Sequence, residues 1–247
     1  MKLTLTEPRF LKESIAIISE LVNEVDLKIL PDKIELVAMD PANVAMVDFK
    51  LLSSAFAEYN VDAPRTIAVN LDNLKAVLRR AKPTDSVVLS IDDEKNKLKV
   101  ELVGQNKRTF NITLLNAEEN EQKVPDLTFT AKAVLPTDQF DEAIEDMDVV
   151  AESVALTASP DKFVIKAEGN LNAAQVEMPK TDNVELEAGE ETTAKYSLEY
   201  LKKMIKGSKL ADTATIQFGK DYPLKIDYTV MDRMKLSFIL APRVSND

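Results

Sequence analysis

The sequence predicts an α+β protein made of two topologically similar domains, because the chain repeats its own pattern of helix-like and strand-like segments. The segment NLDNLKAVLRRAKPTDSVVLSI, residues 70–91, aligns with SLEYLKKMIKGSKLADTATIQF, residues 197–218. Two shorter matches keep the same order: LKVEL from Leu98 with LKIDY from Leu224, and PDKIELVAMD from Pro31 with PDKFVIKAEG from Pro160. Several matches in one order indicate an internal duplication of the whole chain.

Each half carries the same order of elements. A strand leads into an amphipathic helix, from about Pro8 to Val22 in the first half and from about Thr137 to Val149 in the second. Strands joined by a turn at Pro-Asp-Lys follow, then a second helix, a polar turn and a final run of alternating strands. Helices packed on sheets bury such amphipathic segments, which is why two α+β domains are predicted.

A polar segment separates the two halves. Residues 116–126, NAEENEQKVPD, are acidic and contain a proline near their end. That composition is typical of an exposed linker. We therefore predict an N-terminal domain over residues 1–115, a connector over 116–127 and a C-terminal domain over 128–247.

Composition narrows the classes of function. The 247 residues include no cysteine, which excludes disulfides and thiolate ligands, and no histidine, which argues against most hydrolytic and zinc-based sites. No apolar run approaches the roughly 20 residues that span a bilayer, and the N-terminus MKLTLTEPRF does not resemble a signal peptide. The net charge of -11 predicts that nucleic acid is repelled except where basic residues cluster.

Basic residues cluster on the duplicated second helix. Lys75, Arg79 and Lys82 follow one face of the first copy, whose opposite stripe is Leu71, Leu74, Leu78 and Ala81. The second copy places Lys202, Lys206 and Lys209 at the matching positions, opposite Leu198, Leu201 and Ile205. Matched basic rows on an acidic protein predict weak contacts with phosphates that are salt-sensitive and do not depend on base sequence. A solvated helix face with no ligand is the alternative.

A catalytic alternative uses carboxylates. Asp40 with Asp48, or Asp92 with Asp93, offer candidate metal ligands. Asp92-Asp93-Glu94 lies between two strand-like runs and is better explained as a hairpin turn. Asp40 and Asp48 are each isolated among apolar residues, with no third ligand at a suitable spacing. The chain also lacks a glycine-rich phosphate loop, so we predict that it is not an enzyme.

Three segments together resemble one family. AMDPANVAMVDF, residues 38–49, is similar to the signature of the proliferating cell nuclear antigen family, the DNA sliding clamps of archaea and eukaryotes. LAPR, residues 240–243, resembles the family's C-terminal ending, and the acidic linker resembles its interdomain connector. The resemblance covers essentially the whole chain.

The resemblance implies a head-to-tail ring of three subunits, with antiparallel sheets outside and helices lining a hole for duplex DNA. Such a ring would confer processivity on DNA polymerase without being an enzyme or needing a cofactor or metal. The implied partners are duplex DNA, DNA polymerase, clamp loader, flap endonuclease, DNA ligase and further copies of the chain, with no membrane. The implied location is the cytoplasm, at the nucleoid, for an archaeal protein, or the nucleus for a eukaryotic one.

The resemblance also assigns residues to three surfaces. The DNA-facing residues would be Lys12, Lys75, Arg79, Arg80, Lys82, Lys202, Lys203, Lys206 and Lys209. The strands that pair between subunits would be Thr109, Phe110, Asn111, Ile112, Thr113 and Leu114 with Ala173, Ala174, Gln175, Val176, Glu177 and Met178. A pocket for partner peptides would be lined by Met39, Val44, Met46, Val124, Pro125, Pro223, Ile239, Ala241 and Pro242, with Ile239 where an aromatic is common.

One helix departs from the family pattern. The segment TDQFDEAIEDMDV, residues 137–149, would bury Phe140, Ile144 and Met147 and line the hole. It carries no basic residue and six acidic ones: Asp138, Asp141, Glu142, Glu145, Asp146 and Asp148. These charges would oppose DNA within a Debye length of about 8–10 Å. Two explanations remain open: DNA tilts toward the basic helices, or a related subunit with a more basic lining completes a mixed ring.

Overall fold

The computed structural model describes residues 1–117 and 122–244. The acidic centre of the predicted connector, residues 118–121, lies outside the described residues. Among the described residues the chain forms two compact units. The first comprises Met1–Pro41, Val47–Val124 and Val230–Leu236, and the second comprises Ala42–Met46, Pro125–Thr229 and the residues from Ser237 onward. The domain boundaries given above remain predictions.

The elements of the two halves follow one another in the same order. Those of the first half are β1 (Lys2–Leu5), α1 (Arg9–Ile18), β2 (Glu24–Ile29), β3 (Lys33–Met39), β4 (Ala45–Leu52), a 3-10 turn (Ser53–Ala55), β5 (Glu58–Asn60), β6 (Arg65–Asn70), α2 (Leu71–Leu78), β7 (Ser86–Asp92), β8 (Lys97–Val103) and β9 (Lys107–Thr113). Those of the second half are β10 (Ala131–Pro136), α3 (Thr137–Asp148), β11 (Ser153–Ala158), β12 (Lys162–Glu168), β13 (Ala173–Pro179), β14 (Glu185–Ala188), β15 (Thr192–Ser197), α4 (Leu198–Met204), a 3-10 segment (Ile205–Lys209), β16 (Thr213–Phe218), β17 (Leu224–Val230) and β18 (Met234–Leu240).

The order of strands within the sheets is duplicated as well. The order β5-β1-β7-β8-β9 of the first half recurs as β14-β10-β16-β17-β18, and β4-β3-β2-β6 recurs as β13-β12-β11-β15. Neighbouring strands run antiparallel, as in β7 with β8 and in β11 with β12. The predicted α+β class with two similar antiparallel units is therefore confirmed.

The predicted turns are also present. Leu30 donates its backbone N–H to the carbonyl of Lys33 at 2.8 Å, which closes the first Pro-Asp-Lys turn, and Ser159 does the same to Lys162 at 3.0 Å. The segment Asp92-Asp93-Glu94 enters the hairpin between β7 and β8, where the carboxylate of Asp92 accepts from the N–H of Lys95 at 3.1 Å. The metal-ligand interpretation of this segment is thereby weakened.

The first helix is shorter than the sequence predicted. α1 ends at Ile18, four residues before Val22. The hydroxyl of Ser19 donates to the carbonyl of Ala16 at 2.8 Å, and the backbone then turns before β2 begins at Glu24. Leu21 and Val22 are nonetheless buried. Their apolar side chains continue the helical spacing in the sequence. In the structure they lie in the turn after α1 and are buried from there.

The second helices are shorter too. Asn70 caps α2 by accepting the N–H of Asn73 at 3.0 Å, and the helix ends at Leu78, so Lys82 lies beyond it rather than on it. The Asp85 carboxylate accepts the N–H of Lys82 at 2.8 Å and holds the following turn. In the second unit α4 tightens into the 3-10 segment at Ile205, which contains Lys206 and Lys209. Both predicted apolar stripes are buried as expected.

Candidate nucleic-acid interface and docking surfaces

The basic residues of the first unit gather around the end of α2. Arg79, Arg80 and Lys82 are exposed and Lys75 is half-buried. Lys12 reaches this region from α1, since its ammonium group donates to the carbonyl of Ala81 at 3.2 Å. The first unit thus carries a cationic surface formed by α1 and the end of α2. Its role toward DNA remains a prediction.

The basic row of the second unit is more strongly paired with acids. Lys202 lies 2.6 Å from the carboxylate of Asp148, with both side chains partly exposed. Lys203 lies 3.6 Å from Glu199 and stacks over the ring of Tyr200 at 5.3 Å. Exposed ion pairs offset charge while stabilising little. The cationic character of this copy is therefore lower than its sequence indicates.

The acidic residues of α3 divide between two flanks of the helix. Asp141, Glu145 and Asp148 share the flank that faces α4 and the 3-10 segment, where Asp148 pairs with Lys202. Glu142 and Asp146 are exposed on the opposite flank. The buried stripe of Phe140, Ile144 and Met147 lies between these flanks, as predicted, and α3 also packs against β12 and β13. Because the flanks differ, the six acids need not share one role.

The strands predicted to pair between subunits both lie at a sheet edge. β9 is the last strand of the order β5-β1-β7-β8-β9, and β13 is the first of β13-β12-β11-β15. In the described part of the chain, β9 pairs with β8 and β13 pairs with β12, which leaves one side of each strand open. Leu114 follows β9 and donates its N–H to the carbonyl of Asn96 at 3.0 Å.

A basic cleft lies beside the open edge of β9. Its volume is about 280 Å³, and it is lined by Arg80, Lys82, Thr84, Asp85, Gln105, Asn106 and Arg108. Arg108, on β9, donates to the carbonyl of Arg80 at 3.1 Å and pairs with the buried carboxylate of Asp85. Arg108 was not among the residues predicted from the sequence. Its position in a strand next to the predicted pairing segment was the available signal.

The residues predicted to form a peptide pocket are distributed over both units. In the second unit, Ala241 donates its N–H to the carbonyl of Val44 at 2.9 Å, which brings the signature segment and the C-terminal ending together. Pro125 and Ala241 are exposed, while Pro223 and Pro242 are half-buried. Met46 and Ile239 are only 5% and 8% exposed, so they offer little surface to a ligand.

The other two pocket residues, Met39 and Val124, line a cleft of about 700 Å³ in the first unit. It is lined by residues of β2, β3 and β6 and by Gln122 and Lys123 of the connector. Leu115 donates its N–H to the carbonyl of Ala68 at 2.8 Å, which attaches the start of the connector to the edge of β6.

The carboxylates of the catalytic alternative are paired with cations or buried. Asp48 pairs with Lys50 at 3.1 Å, Asp93 pairs with Arg65, and Asp40 is buried. Across residues 1–117 and 122–244, no group of three or more acidic side chains is placed to hold a metal ion. No helix within those ranges is long and apolar enough to cross a bilayer.

Comparison with known families identifies the fold. Residues 1–134 match the model of the N-terminal domain of proliferating cell nuclear antigen, and residues 123–243 match that of its C-terminal domain. The chain belongs to the proliferating cell nuclear antigen family. The resemblance seen in the signature segment is therefore confirmed.

Members of the proliferating cell nuclear antigen family with similar sequences come from archaea. A DNA polymerase sliding clamp of Thermococcus gammatolerans is 40% identical over 93% of both chains. One of Pyrococcus furiosus is 38% identical over 92% of this chain and 91% of its own. A crystal structure of the family member from Thermococcus kodakaraensis superimposes with a TM-score of 0.92 at 29% identity, covering 98% and 99% of the two chains.

Proposed function

We propose that this protein is one subunit of a homotrimeric DNA sliding clamp, a closed ring that encircles duplex DNA and holds DNA polymerase at its template. The observation that carries the proposal is the pair of open edges, β9 and β13, on a chain whose relatives are named DNA polymerase sliding clamps. An open edge is an aggregation hazard unless a partner covers it. A head-to-tail ring covers both edges at once, because β9 of one subunit meets β13 of the next.

Charge beside the two edges favours that pairing. The basic cleft with Arg80, Lys82 and Arg108 adjoins β9. The acidic helix α3 packs against β13, and Glu142 and Asp146 occupy the flank that faces away from α4. Opposite charges on the two surfaces steer association and fix its orientation. Some of the acidic residues of α3 would then contact the neighbouring subunit. Neither a mixed ring nor a tilted duplex is needed to explain all six of them.

The hole would be lined by the basic residues of both units. We propose that Lys12, Lys75, Arg79, Arg80 and Lys82 of the first unit and Lys202, Lys203, Lys206 and Lys209 of the second lie toward the phosphates. A closed ring holds DNA by topology, so weak contacts are sufficient and permit sliding. A tethered polymerase then experiences a high effective concentration of primer ends. Such a ring performs no catalytic step and needs no cofactor.

Partner enzymes would dock by a short peptide on the outer surface. We propose that Val44, Pro223, Ala241 and Pro242 of the second unit contribute to its site. Val44 and Ala241 support this role because their backbone hydrogen bond holds the two predicted segments together. Polymerase, clamp loader, flap endonuclease and ligase are the candidate partners.

A topological experiment tests the proposal. The purified chain is loaded by a clamp loader onto nicked circular DNA and separated from free protein at high salt. We expect it to remain on the circle and to be released when a restriction enzyme linearises the DNA, because a ring slides off an end. Native mass spectrometry should give a homotrimer. Retention that survives linearisation would contradict the clamp, and trimers that form only with a related chain would establish the mixed ring.

A further inference from the structure

Two backbone hydrogen bonds, one at each end of β4, join this strand to the residues that flank β18. Leu52 donates its N–H to the carbonyl of Arg233 at 2.8 Å, within the first unit. Ala241 donates its N–H to the carbonyl of Val44 at 2.9 Å, within the second unit. The two bonds are eight residues apart along both segments and in opposite directions, so they fit one antiparallel register.

β13 has the place in the second unit that β4 has in the first. Ser53, directly after β4, donates its N–H to the carbonyl of Asp32 at 2.8 Å, and Lys180, directly after β13, donates to that of Asp161 at 2.8 Å. Both acceptors are the aspartates of the Pro-Asp-Lys turns. Because Ser53 and Lys180 are 127 positions apart, each residue of β4 corresponds to the residue 127 positions later in β13.

β9 has the place in the first unit that β18 has in the second. Leu115 donates its N–H to the carbonyl of Ala68 at 2.8 Å, and Arg243 donates to that of Lys195 at 2.7 Å. Ala68 on β6 and Lys195 on β15 each lie two residues before their strand ends. Because Leu115 and Arg243 are 128 positions apart, each residue of β18 corresponds to the residue 128 positions earlier in β9.

The odd-numbered residues of both edge strands direct their backbone groups to the open side. In β9, Leu114 bonds to Asn96 beside β8, so the even-numbered residues face β8. In β13, Lys180 bonds to Asp161 beside β12, so the even-numbered residues face β12 there as well. Residues of an antiparallel strand alternate between its two neighbours. Any other register of β9 with β13 therefore differs by a multiple of two residues.

The register of β4 with β18 places Lys50, two residues before Leu52, opposite Lys235. The corresponding residues are Glu177 in β13 and Lys107 in β9, which carry opposite charges. We propose that β9 of one subunit pairs with β13 of the next in this register, and that Lys107 and Glu177 form an ion pair across the subunit boundary. The inference rests on the proposed ring and identifies residues by which neighbouring subunits recognise each other.

Charges on the outer face of the two edges favour this pair. The ammonium groups of Lys99 and Lys107 lie 3.0 and 2.8 Å from the carboxylate of Glu101, so two cations share one anion. Glu177 lies 3.0 Å from the ammonium group of Lys162, and its side chain is 46% exposed. With Glu177 opposite Lys107, cations and anions alternate across β8, β9, β13 and β12. Opposite charges directly across two strands stabilise their pairing.

The other face of the same register pairs a large residue with a small one. Phe110 and Ala174 are both half-buried and would lie opposite each other. Their position is one of the closely spaced pairs, in which the Cα atoms are about 4.5 Å apart, and the methyl group of Ala174 leaves room for the ring. A shift by two residues would place Phe110 opposite Val176 or Asn172 instead.

Cysteine cross-linking tests the register directly, because the chain contains no cysteine of its own. Lys107→Cys with Glu177→Cys places two thiols on opposite residues whose Cα atoms are about 5.5 Å apart, a separation that a disulfide spans. Mild oxidation of the full-length trimer should convert most chains into covalent dimers and trimers on a non-reducing denaturing gel. Each single variant should give no cross-linked product.

Two matched controls represent registers shifted by two residues in either direction: Thr109→Cys with Glu177→Cys, and Lys107→Cys with Gln175→Cys. In the proposed register these pairs are diagonal and about 7–8 Å apart, so they should cross-link severalfold more slowly. Native mass spectrometry before oxidation distinguishes two failures. A trimer in which a shifted pair reacts faster would overturn the register and keep the ring, whereas a chain that remains monomeric would overturn both.

Alanine variants test the ion pair separately from the register. Lys107→Ala and Glu177→Ala should each weaken the trimer at low salt, by up to about fivefold for each subunit boundary, as measured by analytical ultracentrifugation over a dilution series. The double variant should be no weaker than the weaker single variant, because either change already breaks the pair. Lys166→Ala removes a lysine that pairs with Glu168 on β12 and should leave assembly unchanged. Additive effects of the two changes would overturn the ion pair.

Discussion

The carboxylate of Asp148 and the ammonium group of Lys202 lie 2.6 Å apart, which joins the acidic helix α3 to the basic helix α4 within the second unit. The sequence places these residues in separate segments of opposite charge. Their pairing shows that the two helices partly neutralise one another, so the cationic charge available to a ligand differs between the two copies of the basic row.

Removal of the Asp148 charge should strengthen contact with DNA. In Asp148→Asn the ammonium group of Lys202 is no longer paired, and one more cation is free to bind phosphate. We expect tighter binding of duplex DNA at low salt and a steeper dependence of log K on log salt, by about 0.9 for one additional neutralised phosphate. Fluorescence anisotropy over a salt series measures both. In a Lys202→Ala background Asp148→Asn should have a much smaller effect, and an equal effect there would assign the change to another residue.

Alanine at Lys75, Arg79, Lys202 and Lys206 should weaken DNA binding while leaving the fold and the oligomer intact, because these side chains are partly or fully exposed. The slope of log K against log salt should fall by about 0.9 for each phosphate that is no longer neutralised, and loader-dependent stimulation of polymerase should decrease. The matched control replaces Lys28, Lys33, Lys162 and Lys166, which have the same total charge but lie on sheet strands. Equal losses of affinity in the two variants would indicate a general effect of net charge.

The two flanks of α3 should respond differently to charge reversal. Glu142→Lys with Asp146→Lys should weaken the trimer, because the new cations would face Arg80, Lys82 and Arg108 of the neighbouring subunit. Glu145→Lys lies on the other flank and should leave the trimer intact while strengthening DNA binding at low salt. Analytical ultracentrifugation and anisotropy separate the two results. If the first pair of changes leaves the trimer intact, charge pairing does not contribute to the subunit contact.

A bulky charge in the predicted peptide site should block partners and spare the ring. Val44→Lys or Ala241→Arg places an unpaired charge beside the Val44–Ala241 hydrogen bond, where apolar anchors of a partner peptide are expected. Calorimetry with a polymerase-derived peptide should show loss of binding, while the oligomeric state stays the same. Met231→Lys, at an 84% exposed position in the hairpin between β17 and β18, is the control that should bind normally. Wild-type affinity of both site variants would show that the peptide binds elsewhere.

Gly207 should tolerate no side chain. A Cβ there would come within 2.3 Å of the ring of Tyr228, which is fully buried. Overpacking of this kind costs about 1–3 kcal/mol, so Gly207→Ala should lower the free energy of unfolding by that order in a urea titration. Gly189→Ala adds the same methyl group where nothing lies within 4 Å and should be close to neutral. Equal stability of the two variants would mean that the Tyr228 ring can shift.

By itself, the sequence determined the duplication, the α+β class and the buried stripes. The spacing of apolar residues is visible within one segment of sequence, and it predicts the buried face of a helix without knowledge of what packs against it. Leu74, Leu201, Phe140 and Ile144 are all buried, as their spacing predicts. The signature segment likewise indicated the family, and the matches to both of the family's domains confirmed it. The ends of helices were less predictable. Leu21 and Val22 continue a helical pattern, yet α1 ends at Ile18 and the Ser19 hydroxyl bonds back to the carbonyl of Ala16.

Only the tertiary structure decided which charges neutralise one another. Asp148 and Lys202 are 54 positions apart, and Asp85 and Arg108 are 23 apart, so neither pair is visible as a local pattern. Tertiary packing likewise decided which flank of α3 faces α4, where Asp148 pairs with Lys202. The physical reason is that side-chain spacing sets which face a residue occupies, whereas electrostatic pairing and burial depend on which other segment packs against that face.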